Sequence, residues 1–97
     1  MMAHPNVLIT SVAAKVLLVR AFRDALADEG QVFTCDARQQ CAGGLASDGH
    51  HAVLPLADPA ALHQLLELCD RKEIGLLVPT RDGELSFLAE HAESFRA

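Results

Sequence analysis

Residues 6–26 read NVLITSVAAKVLLVRAFRDAL, and the change of period inside this stretch sets the fold class. Asn6-Val7-Leu8-Ile9-Thr10 is a short apolar run without alternation, the pattern of a strand buried on both faces. Further on, Leu18, Val19, Phe22, Ala25 and Leu26 recur at helical spacing and form one stripe. Arg20, Arg23, Asp24 and Asp28 fall mostly on the opposite side. A buried strand followed by an amphipathic helix is the first half of a βαβ unit. Gly30 stands where a left-handed C-terminal cap is expected.

Outward from this unit the alternation continues. Gln31 to Asp36 (QVFTCD) is the second strand, rich in β-branched and aromatic residues. Residues 37–50 carry no period and hold Gly43, Gly44 and Gly49, so they read as a long irregular loop. Ala52-Val53-Leu54-Pro55 is a short third strand, and its proline marks the strand end or an edge. Asp58-Pro59 opens a helix, with Asp as N-cap and Pro at the first helical position. Leu62, Leu65, Leu66 and Cys69 form its apolar face, and Arg71 and Lys72 close it. Gly75-Leu76-Leu77-Val78-Pro79 is the fourth strand. A last helix starts near Asp82, with Leu85, Leu88, Ala89 and Ala92 inward. Met1 to Pro5 read as a loose end.

The order β-α-β-β-α-β-α predicts an α/β fold: a four-stranded, mainly parallel sheet with about three helices on its two faces. The first strand lies inside the sheet, with Val7 and Ile9 buried. Ligands of such sheets sit beyond the carboxyl ends of the strands, which points to residues 10–15, 36–38 and 80–84. Phe87 and Phe95 remain unplaced on the last helix. If they face outward they imply a homodimer or heterodimer through that helix or the 37–50 loop; the alternative is that both enter the monomer core.

The composition narrows the function. Of 97 residues, 51% are hydrophobic and 22% charged, which excludes wholesale disorder, collagen and a disulfide scaffold. At 10.4 kDa residues 1–97 make a single domain that buries about 64% of its unfolded surface, enough for a core without metal or disulfides. The net charge of −5 leaves no basic footprint for nucleic acid. No apolar run reaches the roughly 18 residues of a membrane span, and no signal peptide pattern opens the chain. Cys35, Cys41 and Cys69 cannot all pair with one another, which fits a reducing compartment and a cytoplasmic protein.

The residue patterns by themselves favour structure over chemistry. The first turn, Thr10-Ser11-Val12-Ala13-Ala14-Lys15, has no glycine, so it lacks the fingerprint that admits a dinucleotide pyrophosphate. Thr10, Ser11 and the helix N-terminus can hold a small anion, but a serine capping the helix is the commoner arrangement. Asp36 stands where an acidic residue binds ribose, yet Asp also ends strands because it suits turns. Cys35, Cys41, His50 and His51 are spaced unlike a structural zinc site. Thr80-Arg81-Asp82-Gly83-Glu84 gathers a hydroxyl, a guanidinium and two carboxylates at one strand end. These suit acid–base work or Mg²⁺, but equally a helix start with acidic first-turn residues.

Three stretches resemble the pre-ATP-grasp domain that opens ATP-grasp ligases, above all those labelled carbamoyl-phosphate synthase large-chain-like. They are residues 6–26, the pair Asp36 and Val53-Leu54-Pro55, and IGLLVPTRDGELSFLAEHAESF at 74–95. The resemblance covers nearly the whole chain, and the last stretch is the most specific. It implies a Rossmann-like three-layer domain on the acceptor-substrate side of a ligase, often contributing to dimer contacts. Its cleft-facing, substrate-binding positions would be Thr10, Ser11, Lys15, Thr80, Asp82 and Glu84, with no catalytic and no metal-binding residue. It further implies no cofactor in this chain; ATP and Mg²⁺ would bind an ATP-grasp domain in the same or a separate polypeptide, and this chain alone would be inactive. The sequence departs from the family at Val12-Ala13-Ala14-Lys15, where a glycine-and-arginine turn is usual, and at Gly75. Two other readings stand beside this one: a stand-alone small-molecule or nucleotide-binding module, and a purely dimerising domain.

Overall fold

The computed structural model describes residues 5–55 and 58–96. Four strands form one all-parallel sheet in the order β3-β2-β1-β4. They are β1 (Asn6–Thr10), β2 (Val32–Asp36), β3 (Gly49–Ala52) and β4 (Ile74–Val78). The connecting helices are α1 (Val16–Leu26), α2 (Ala42–Leu45) and α3 (Ala61–Arg71), and β4 is followed by α4 (Asp82–Glu90) and α5 (Ala92–Arg96). Among the described residues there are thus five helices, of which three are long. The chain steps from β1 to β2 to β3 on one side, and α3 then carries it to the far side of β1.

β1 is central, as its unalternated composition requires. Val7, Ile9 and Val32 point to one face and cluster with Val12 and Val19, where Leu18, Phe22 and Leu26 of α1 complete the layer. Leu8, Phe33 and Cys35 point to the other face and cluster with Leu65 and Leu68 of α3. Strand side chains alternate between faces, so one strand serves two cores and the domain has three layers, α/β/α. At the amino ends of the strands Asn6 ties the layers together. Its Oδ1 accepts from Gln31 N (2.8 Å) and its Nδ2 donates to Lys72 O (2.7 Å).

The structure corrects several expectations from the sequence. The third strand is Gly49–Ala52, three residues earlier than 52–55; Val53, Leu54 and Pro55 lie beyond it. Residues 37–50 are not an irregular loop, because they hold α2 and the start of β3. The helix after Asp58 starts at Ala61, and Asp58 instead closes a preceding turn, its Oδ1 accepting from Ala60 N (2.9 Å). Gly30 has no positive φ; α1 ends at Ala27, which takes φ 49°. Gly30 is required for a different reason: a Cβ there would stand 2.2 Å from the Pro5 carbonyl oxygen. Ala25 is exposed, and Leu68 joins the buried face of α3.

The single last helix expected after Asp82 is divided into α4 and α5; Phe87 of α4 and Phe95 of α5 pack onto the α3-side core, whereas Leu85 is 57% exposed. The expected inward face is therefore rotated, and the two phenylalanines give no outward apolar pair. β4 is an edge strand, but its pairing with β1 is interrupted by an irregularity at Gly75, and Pro79 follows it. Both features blunt an edge against pairing with another chain. Most of the loose end expected at Met1–Pro5 lies outside the described residues. Among the described residues no helix is long and apolar enough to cross a membrane.

Candidate functional site

The carboxyl ends of β1 and β4 meet at the point where the strand order reverses, the place where parallel sheets bind ligands. A single side chain organises this point. Glu84, in the first turn of α4, is buried to 6% exposure. Its Oε1 accepts from Thr10 Oγ1 (2.9 Å) and from Thr80 N (3.1 Å), and its Oε2 accepts from Ser11 Oγ. The Thr80 hydroxyl lies within reach of the carbonyls of Thr10 (2.8 Å) and Ser11 (2.9 Å). Lys15 Nζ donates to Thr80 O (3.0 Å). Three donors to a buried carboxylate are the form in which such a group is tolerated, and here they stitch β1 to the β4–α4 turn.

The β1–α1 turn is held from a second side. Asp36, at the end of β2, accepts from Ala13 N (3.2 Å) through Oδ2 and from Arg38 N (3.0 Å) through Oδ1. Gly43 of α2 donates to Ala13 O (2.7 Å), and a Cβ on Gly43 would stand 2.7–2.9 Å from Val12 and the Ala13 oxygen. Ser11 is not the N-cap of α1; that position is Lys15, whose side chain makes no cap bond. Likewise the N-cap of α4 is Arg81 and carries no side-chain cap bond. The capping roles that the sequence favoured for both segments are replaced by the shared Glu84 network.

Ser11 (φ 51°) and Ala13 (φ 35°) lie in the left-handed region, which costs an L-residue roughly 1–2 kcal/mol. Ala13→Gly should therefore stabilise the protein by about 0.5–1 kcal/mol, after allowance for the greater freedom of glycine in the unfolded chain. Thermal melts in which Ala13→Gly lowers the midpoint would show that the turn is not strained at this residue.

Beside the network an open cleft of about 340 Å³ lies on the α3 side of the sheet. Thr10, Ser11, Asp36 and Glu84 form its polar side. Cys35, Val53, Leu54, Pro55 and Leu65 form its apolar side, and Arg81 and Gly83 stand at α4. Of the six positions singled out from the sequence, Thr10, Ser11 and Glu84 line the cleft, while Thr80 and Lys15 brace it from behind. Asp82 opens α4, and its side chain lies outside the described part of the structure. An apolar run at 53–55 reads as a strand in the sequence, which conceals the apolar wall; Pro55 after the apolar pair is the signal that the segment leaves the sheet. Asp36 accepts two N–H donors and Glu84 three donors, of the roughly four lone-pair sites each carboxylate offers. Among the described residues no three His, Cys, Asp or Glu side chains are grouped so that they could hold a metal ion.

Burial pushes the Cys35 thiol far above its ordinary range, with the Glu84 charge adding to the effect. Burial also raises Cys69, to about 11. Both thiols hold their protons more tightly folded than unfolded. Their contribution to stability is complete below the ordinary value of 9.0 and is lost as pH rises through 9 towards the folded values. At mildly alkaline pH, iodoacetamide should label the half-buried Cys41 ahead of Cys69 and spare the buried Cys35; mass spectrometry showing equal labelling of all three would contradict the burial of Cys35. His51 is shifted down by burial and by Lys72, Arg71 and His50. Among the described residues its Nε2 has no hydrogen-bond partner.

The family model described as PylC-like, N-terminal domain matches residues 7–97. The chain belongs to this family, the pre-ATP-grasp domain of ATP-grasp ligases. No curated protein matches the chain.

Proposed function

We propose that this chain is the substrate-side module of an ATP-grasp carboxylate–amine ligase, of the carbamoyl-phosphate synthase large-chain-like kind, working in the cytoplasm. In this reading ATP and Mg²⁺ bind an ATP-grasp domain carried in the same or a separate polypeptide. That domain is the principal partner, homo- or heterodimers form around it, and this chain alone turns nothing over. The observation that supports the reading is the cleft at the strand ends. It offers a cationic group, Arg81, beside two carboxylates, Asp36 and Glu84, so it suits a small zwitterion. Its β1–α1 turn carries no glycine cradle for phosphates. Thr10, Ser11 and Glu84 meet the substrate, Lys15 and Thr80 keep the floor in place, and Asp82 stands at the start of α4.

The test is thermal unfolding of the purified chain with a panel of free amino acids and, separately, with Mg²⁺–ATP. An amino acid at roughly five times its Kd adds about 1 kcal/mol, which raises the midpoint by about 4–8 °C in a domain of this size. Arg81→Ala removes the shift. Stabilisation by Mg²⁺–ATP with no response to any amino acid, or ADP release by the chain alone, would overturn the reading.

A further inference from the structure

We infer that the cleft selects a substrate with an aliphatic arm, and that Leu54 and Leu65 set this preference. The inference rests on the substrate-side reading above and goes further by naming the class of substrate. The cleft is two-sided. One side carries the charges, with Arg81 at the α4 end and Asp36 on the sheet. The other is the segment that leaves β3, where Leu54 is 38% exposed, set against Leu65 of α3, which is buried. The Leu54 backbone is fixed rather than loose: its N–H donates to Gln64 Oε1 (2.6 Å), and Val53 N donates to Asp36 O (2.9 Å). The apolar wall is thereby tied to the charged side through Asp36 itself. A zwitterionic head held by Arg81 and Asp36 would extend its arm along this wall. Among the described residues Val53, Leu54, Pro55 and Leu65 of this wall carry no charged or hydrogen-bonding side-chain group, and leaving a polar arm unpaired against them is costly.

The experiment is a titration of the purified chain, followed by NMR, with the homologous series glycine, alanine, 2-aminobutyrate, norvaline and norleucine, and with aspartate. Affinity should rise up to about fourfold for each methylene that reaches the wall, and aspartate should bind no better than glycine. Leu54→Ser should flatten the series, so that norleucine binds no better than alanine. Gly83 supplies a second variant: it lines the cleft, and a Cβ there meets nothing within 4 Å. Gly83→Leu should therefore block the whole series with the fold intact, as circular dichroism reads it. A series that binds with no dependence on chain length would sink the aliphatic preference and leave the substrate-side reading standing. A chain-length dependence untouched by both Leu54→Ser and Gly83→Leu would place the arm elsewhere and overturn the assignment. Absence of binding by every member would overturn both readings.

Discussion

Glu84→Ala is expected to lower the stability of the protein by about 4 kcal/mol, because it strands three donors at once. The carboxylate is 6% exposed and receives Thr10 Oγ1, Ser11 Oγ and Thr80 N. Hydrogen bonds to a charged group contribute about 1.5–3 kcal/mol each, and a buried donor left without a partner costs about 1–3 kcal/mol. The three share one acceptor and do not add fully, so the total stays below their sum. A domain of this size has a stability of about 5–15 kcal/mol, and the loss corresponds to a fall of roughly 15–30 °C in Tm. Glu84→Gln keeps one acceptor oxygen and should recover more than half of the loss. Urea unfolding curves are the measurement. Near-wild-type stability of Glu84→Ala would show that water replaces the carboxylate, and that the stitch between β1 and the β4–α4 turn contributes little to the fold.

Leu8→Ala should cost about 3–4 kcal/mol for an unrelated reason. Leu8 is fully buried in the central strand, against Phe33, Leu65 and Leu68. Truncation removes three carbons and leaves a cavity between a sheet and a helix that cannot close independently, and core Leu→Ala changes range over about 2–5 kcal/mol. Its neighbour Ile9 is also fully buried but belongs to the cluster under α1. The sheet separates the two cavities, so Leu8→Ala and Ile9→Ala should add to within about 0.5 kcal/mol although they are adjacent in sequence. A large coupling between them in a double-mutant cycle would mean that truncation shifts β1 as a whole, and that the two cores are not independent.

The pair of layers was legible in residues 6–26 because burial on both faces removes alternation from a strand, and burial on one face imposes the helical stripe on the segment after it. Gly43 and Gly44 hid α2 for a physical reason. They look like loop residues, yet both are buried because α2 packs so closely that a Cβ would strike Val12 or the His50 ring. The last helix misled for a similar reason. Leu85, Leu88, Ala89 and Ala92 and the pair Phe87 and Phe95 are both apolar sets at helical spacing, and only the position of α3 selects the set that faces inward.

The sequence alone determined the parallel three-layer plan, the interior place of β1, and the stretch at 80–84 as a strand end crowded with polar groups. These follow from local rules: period, chain punctuation and the chemistry of each side chain. Tertiary structure alone decided what that crowd does. Glu84 lies more than 70 residues from Thr10 and Ser11, and nothing local distinguishes an acidic residue that favours a helix dipole from one that turns inward to hold another strand. The apolar wall at 53–55 was undetermined in the same way. Whether three apolar residues pair as a strand or leave the sheet to line a cleft depends on where the preceding strand finds its register, and β3 finds it three residues early, with His50 beside Thr34 and His51 beside Cys35.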